Sequence, residues 1–264
     1  MRKLLLGDEA IAQAAIDSGL SGVYAYPGTP STEITEFIQL REEKRGDAEN
    51  KICCRWATNE KTAMEGALGM SYMGKRALVC MKHVGMNVAA DPFVNSAMTG
   101  VNGGLVVVAA DDPSMHSSQN EQDSRFYGKF AMMPIFEPSN QQEAYDMTRA
   151  AFELSEAVKL PVLMRVTTRM AHSRAVVNVT EEPRKQNEIN RPEDVRTWIL
   201  LPAFAKKRYV QLLAQQDDLM KASLESKYNC YRKGTNPELG VICTGIAYNY
   251  YMENAANCEE RSVL

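Results

Sequence analysis

"GLVVVAA", residues 104–110, runs through seven apolar or small positions without one polar interruption. A strand with one wet face alternates apolar and polar residues. An unbroken run suits a strand covered on both faces by helices, as in a parallel doubly wound sheet. Similar runs lie on either side: "GVYAY" (22–26), "KICCRW" (51–56), "RALVCM" (76–81), "MMPIFE" (132–137) and "LPVLMRV" (160–166). Between them the sequence predicts helices near 8–18, 30–43, 60–73, 86–98, 117–129 and 140–158. In the last, Ser139 and Gln142 form a capping box, and Ala144, Met147, Ala151, Leu154 and Val158 recur on one helical face. The fold class is therefore α/β, with a mostly parallel, doubly wound sheet.

Bulk properties narrow the function. A chain of 264 residues can bury one full core and part of a second, since single cores stop growing at roughly 250–300 residues. Thirty Lys and Arg against thirty-three Asp and Glu leave no polybasic stripe for a phosphate backbone, which argues against nucleic acid as a partner. The apolar run Leu4–Leu6 is far shorter than the ~7–15 residues of a signal-peptide core. No segment approaches the ~18 uninterrupted apolar residues of a membrane span, and the chain reads as cytoplasmic. The six cysteines, at 53, 54, 80, 230, 243 and 258, form no Cys-x-x-Cys pair. Several sit in strand-like runs, so buried reduced thiols are expected rather than metal ligands.

After Arg169 the pattern changes. "HSRAVVNVTEEPRKQNEINRPED" (172–194) is polar, holds two prolines and reads as a linker. Residues 200–228 are helical in pattern, with Phe204, Leu212, Leu213, Leu219, Met220 and Leu224 among many charges. The final stretch opens a strand, a helix and a further strand. The expected organisation is a first domain over 1–175, a linker with helix over 176–236, and the first βαβ piece of an incomplete second α/β domain over 237–264.

Ligands of open parallel sheets lie beyond the carboxyl ends of the strands, so the βα junctions are the places to look for chemistry. In the first, "YPGTPSTEI" (26–34), Thr29 is placed to cap a helix, Pro30 to occupy its first turn, and Gly28 to let backbone approach a ligand. The second begins with Glu60 at the mouth of a helix whose Ala63, Gly66, Ala67 and Gly69 would let another backbone come close. An acid in a first turn is favoured by the helix dipole by roughly 0.3–1 kcal/mol, and that alone would account for it. The third and fourth junctions put His83, His116, Asn120 and Arg125 near one sheet edge. Met81, Met86, Met132 and Met133 read as core filler more readily than as pocket lining. No nucleophile elbow, phosphate-cradling Gly-Lys loop or metal-ligand cluster is present in the pattern.

At these same junctions the sequence resembles the N-terminal portion of the 2-oxoacid:ferredoxin oxidoreductases, and within them the indolepyruvate-specific alpha subunits. The resemblance rests on "YPGTPSTEI", "NEKTAMEGALGMSYMGKRALVCMKHVGMNVAADPF", "VVVAADDPSMHSSQNEQDSR" and "PVLMRVTTR", in order, and continues through "LPAFAKK" and "GVICTGIAYNY". It implies that residues 1–175 form the pyrimidine-binding (Pyr) domain of a thiamine diphosphate enzyme acting on arylpyruvates. Coenzyme A would take the acyl group, and electrons would pass through iron–sulfur clusters to ferredoxin. Glu60 would be the catalytic acid, bonded to N1′ of the cofactor's aminopyrimidine and favouring the imino tautomer that deprotonates the thiazolium.

By the same resemblance Gly28 and Thr29 would border the cofactor. Thr29 would also touch the substrate, with His83 and Arg125 as further substrate contacts. The family's Gly-Asp-Gly diphosphate motif and paired Cys-x-x-Cys runs do not occur in this chain. Magnesium and 4Fe–4S clusters are thus expected on a missing region, the chain is expected to be inactive alone, and a second subunit and a homo-oligomer are implied. The alternatives are a non-catalytic binding or dimerisation module, a Pyr domain specific for pyruvate or 2-oxoglutarate, and, more remotely, a flavodoxin-like flavin carrier.

Overall fold

The computed structural model describes residues 1–46, 49–234, 236–255 and 261–263. Its centre is a six-stranded, wholly parallel sheet of β2 (Gly22–Ala25), β3 (Cys53–Trp56), β4 (Ala77–Lys82), β5 (Leu105–Asp111), β6 (Ile135–Phe136) and β7 (Val162–Thr167), in the order β3-β2-β4-β5-β7-β6. Each short apolar run read from the sequence is one of these strands. Their side chains divide between two cores. Leu78, Cys80, Val106 and Val108 face one layer, while Val79, Met81, Leu105 and Val107 face the other. Both faces are dry along β4, β5 and β7, which is the physical reason those runs show no alternation, while the edge strand β3 leaves Arg55 and Trp56 exposed.

The first layer holds α1 (Gly7–Asp17), α2 (Thr32–Arg45) and α6 (Gln141–Val158). The second holds α3 (Glu60–Tyr72), α4 (His83–Thr99) and α5 (Arg125–Ala131). Met81, Met86 and Met133 are core residues, as their spacing suggests. Cys80 is buried as expected. Cys230 is exposed, however, and Cys53, Cys54 and Cys243 are only half-buried, while Cys258 lies outside the described residues.

Several local expectations are corrected by side-chain hydrogen bonds. Helix α2 starts at Thr32 with Ser31 as its N-cap position, so Thr29 does not cap it and Pro30 is not in its first turn. Both belong to a tight turn, with a cis Thr29–Pro30 bond, closed by Ser31 N–H and Oγ donating to the Gly28 carbonyl at 2.9 and 2.8 Å. Helix α6 is capped by Asn140, whose side chain accepts the Glu143 N–H at 2.9 Å. Glu143 in turn accepts the N–H and hydroxyl of Ser139, so Gln142 is not the reciprocal partner. The helix expected at 117–129 forms only from Arg125, because the aspartates at the end of β5 claim the preceding loop. Ala63 and Ala67 of α3 are fully buried within the chain against α4, so they offer no surface to another molecule.

The polar stretch after Arg169 is more ordered than a linker. After α7 (Thr168–His172), β8 (Arg174–Asn178) pairs antiparallel with β1 (Arg2–Leu6), a small second sheet that sequence pattern did not reveal. The chain then lies along the amino-terminal edge of the main sheet. Arg184 N–H donates to Asp17 O at 2.8 Å, Gln186 Nε2 to Leu20 O at 2.9 Å and Asn187 Nδ2 to Gly74 O at 2.9 Å. Helices α8 (Pro202–Ala214) and α9 (Gln216–Leu224) follow, with Leu212 inserted into the second core. Finally β9 (Asn236–Val241) and β10 (Arg261–Val263) pair in parallel on either side of α10 (Ala247–Asn254). Residues 256–260 and 264 of the expected 237–264 unit lie outside the described residues.

Candidate functional site

Strand order reverses beside β2: the chain moves outward to β3 and then back across to β4. A crevice opens at the carboxyl ends of strands at such a switch point. Here it is a cavity of about 560 Å³, walled by Tyr26, Pro27 and Gly28 after β2, Glu60 after β3, Lys82 and Val84 at the end of β4, and Met115–Gln119 after β5. Four successive junctions, distant in sequence, supply one site.

Glu60 is the first residue of α3 and is 8% exposed. Asn59 caps the helix by accepting the Thr62 N–H at 3.0 Å, which frees Glu60 from any capping duty. The carboxylate lies against Gly85 in the first turn of α4. A Cβ at that glycine would stand 2.6 Å from Glu60 Oε1 and 2.7 Å from its Cγ. Only a residue without a side chain lets the acid occupy this position.

The cavity roof is organised by Asp112, a residue the sequence reading quoted without assigning it a role. Its Oδ2 accepts the Ser117 N–H at 2.8 Å and the Ser118 hydroxyl at 2.5 Å, and Oδ1 accepts the Thr168 hydroxyl at 2.8 Å. Burial alone would raise the pKa of this carboxyl. Hydrogen bonds from Ser118, Ser117, Thr168 and the His116 N–H outweigh it and pull the group down to about 2.

The sequence-derived site residues fall into two groups. Gly28 and Glu60 share the cavity wall, and Thr29 sits exposed in the adjoining turn. His83 does not reach the cavity. It is fully buried, with Nε2 3.0 Å from the Asn120 carbonyl and Nδ1 without a partner among the described residues. Arg125 is also committed elsewhere. It bonds Asp123 at 2.6 Å, Glu137 at 3.2 Å and the Thr244 hydroxyl at 2.7 Å. A buried chain of ion pairs continues from Glu137 through Arg165 to Asp111. His116 and Lys82 take the cavity positions instead. Lys82 is the last residue of the buried strand β4, a charge at a strand's carboxyl end that the sequence itself displays.

On the other helical layer Asp8, Glu33 and His172 bring one ligand-type atom each within 4.8 Å, a grouping that no sequence spacing announced. His172 Nε2 there is already engaged with Glu33 Oε1 at 3.4 Å.

Fold and site together define a doubly wound α/β protein with a switch-point cavity and a nearly buried acid facing into it. The family model described as pyruvate flavodoxin/ferredoxin oxidoreductase, thiamine diphosphate-binding, matches residues 13–229. The chain belongs to that family. It is 43% identical over 255 residues to the indolepyruvate oxidoreductase subunit IorA of Archaeoglobus fulgidus, covering 96% of this chain and 40% of that protein. It is 41% identical over 260 residues to the same subunit of Thermococcus kodakarensis, covering 97% and 39%. The chain thus spans about 40% of the length of these curated relatives. Among solved structures, the 2-oxoglutarate:ferredoxin oxidoreductase from Magnetococcus marinus, with 2-oxoglutarate, coenzyme A and succinyl-CoA bound, superposes with a TM-score of 0.73. It covers 99% of this chain and 53% of that one at 17% identity, a likeness of fold.

The residues present fit the family's cofactor. A heteroaromatic ring with a basic nitrogen needs a carboxyl facing into a cavity wide enough to admit it, and Glu60 beside Gly85 meets both conditions.

Proposed function

We propose that this chain supplies the pyrimidine-binding part of a thiamine diphosphate-dependent oxidoreductase that oxidatively decarboxylates arylpyruvates such as indolepyruvate. The acyl group would pass to coenzyme A and electrons to ferredoxin. Magnesium and 4Fe–4S clusters would be held outside these residues, with a second subunit completing the enzyme. Residues 1–175 would be the Pyr domain, and 237–264 would open a second α/β unit, in keeping with the parallel pairing of β9 and β10 around α10.

The observation that carries the reading is Glu60: a carboxyl 8% exposed, at the switch-point cavity, held against the one residue type that leaves it room. When bound, thiamine diphosphate supplies a carbon nucleophile and an electron sink for decarboxylation. Glu60 holds a proton at N1′ of the pyrimidine ring and so sets the tautomer of the 4′-amino group. Gly28 keeps the first wall free of a side chain, and Thr29 in the neighbouring turn is the substrate contact. The loop held by Asp112 roofs the space and limits water there.

The test is Glu60→Gln in the assembled oxidoreductase. Coenzyme A-dependent ferredoxin reduction should fall by about 10²–10⁴-fold, the scale of a lost acid–base group, while calorimetric affinity for thiamine diphosphate falls much less. Undiminished turnover would remove Glu60 from the mechanism.

A further inference from the structure

We infer that Lys82 is the anchor for the carboxylate of the 2-oxo acid, an assignment that rests on the cavity being the cofactor and substrate site. Lys82 is the last residue of β4 and is 9% exposed, a burial that lysine rarely tolerates without a counter-charge. Its stem packs beside Gly28, where an added Cβ would come within 3.2 Å of Lys82 Cβ. Its ammonium donates to the Ser117 carbonyl at 2.5 Å.

Among the described residues Lys82 forms no ion pair within 4.0 Å, although Glu60 lines the same cavity. One backbone carbonyl satisfies one of three N–H donors and none of the charge. The remaining donors and the uncompensated charge belong to a cavity that the substrate must enter as an anion. Arg125, the cation that family resemblance suggests for substrate contact, is already neutralised by Asp123 and Glu137. Among the described residues, Lys82 is the cavity-lining lysine, and no ion pair neutralises it.

The roof adds a second element. Lys82 holds Ser117 from below by its carbonyl while Asp112 holds it by its N–H, so the anchor and the roof are mechanically joined. An incoming carboxylate meets the lysine at a fixed position, and its flat aryl tail is left to the less polar side formed by Tyr26, Pro27 and Met115.

The experiment uses the assembled oxidoreductase loaded with thiamine diphosphate and magnesium, probed with indole-3-acetate and neutral indole-3-acetamide. The unaltered enzyme should prefer the acid by about 10- to 100-fold, the scale of a hydrogen bond between charged groups. Lys82→Gln should abolish that preference and raise KM for the arylpyruvate by a similar factor with little change in kcat, and Lys82→Arg should restore part of it. If Lys82→Gln weakens both probes equally, the lysine merely supports the roof and the assignment is overturned. It is likewise overturned if the main loss is in thiamine diphosphate affinity, which would place the cofactor's diphosphate at Lys82. Failure of the unaltered protein to bind thiamine diphosphate in a Glu60-dependent manner would instead bring down the reading of the cavity itself.

Discussion

Glu60 and Gly85 form the smallest unit from which function can be argued. The acid is visible in sequence as the first residue of a helix after a strand. The glycine that accommodates it is not, because it lies on another helix. Gly85→Ala would place a methyl group 2.6 Å from Glu60 Oε1. Alanine is intrinsically the better helix former by about 1 kcal/mol, so helix propensity argues against unfolding as the cause of any lost activity. We expect ferredoxin reduction by the assembled enzyme to drop about 10²-fold, the scale of displacing a catalytic group by roughly an ångström. A thermal melt near that of the parent would separate displacement from misfolding. Retained activity would show that Glu60 can shift without consequence.

Among the elements, the loop between β5 and α5 departs most from its sequence pattern. A helix is expected over 117–129, yet Asp111 and Asp112 draw N–H and hydroxyl groups of Ser117, Ser118 and Ser124 into side-chain bonds. Short polar side chains compete with helix formation in this way. The pKa of Asp112 in the folded chain, about 2, lies below that of an unfolded aspartate, about 3.9. Its contribution is therefore complete above pH ~4 and fades as pH falls toward 2. Amide exchange at Ser117 and His116, whose N–H groups Asp112 accepts, should accelerate across that interval in the parent protein. In Asp112→Asn the exchange should already be faster at pH 7 and nearly flat with pH once intrinsic exchange is subtracted. An unchanged parent profile between pH 5 and 2.5 would mean that Asp112 does not hold the roof.

For the whole molecule, Arg76 ties the main sheet to the first helical layer. It is fully buried at the start of β4 and donates to Ser18 O at 2.9 Å, Glu153 at 2.8 Å and Glu156 at 2.6 Å. Burial disfavours the charge on Glu156, but Arg76, Asn187 and the Gly104 N–H hold its pKa down at about 2. Arg76→Met would leave Glu156 half-desolvated and without its main partner. Breaking a buried pair typically costs about 3–5 kcal/mol. Urea denaturation at pH 7 should show a loss of that order, shrinking as pH falls through 4 toward 2, where the acid is protonated. A loss below about 1 kcal/mol would mean that the pair behaves as a surface one. The strand β8 and the strap over 184–190 belong to the same scale, since their partners, β1, Asp17, Leu20 and Gly74, are far away in the chain.

What the sequence determined by itself was the doubly wound sheet and the helix that opens on Glu60, because strand and helix signals come from neighbours a few residues apart. The small β1–β8 sheet, the start of α5, the commitment of Arg125 and His83 away from the cavity, and the placing of Lys82 within it were decided only by the tertiary structure. Hydrogen bonds and charge pairing at these places act between segments that only folding brings together, and local pattern carries no record of them.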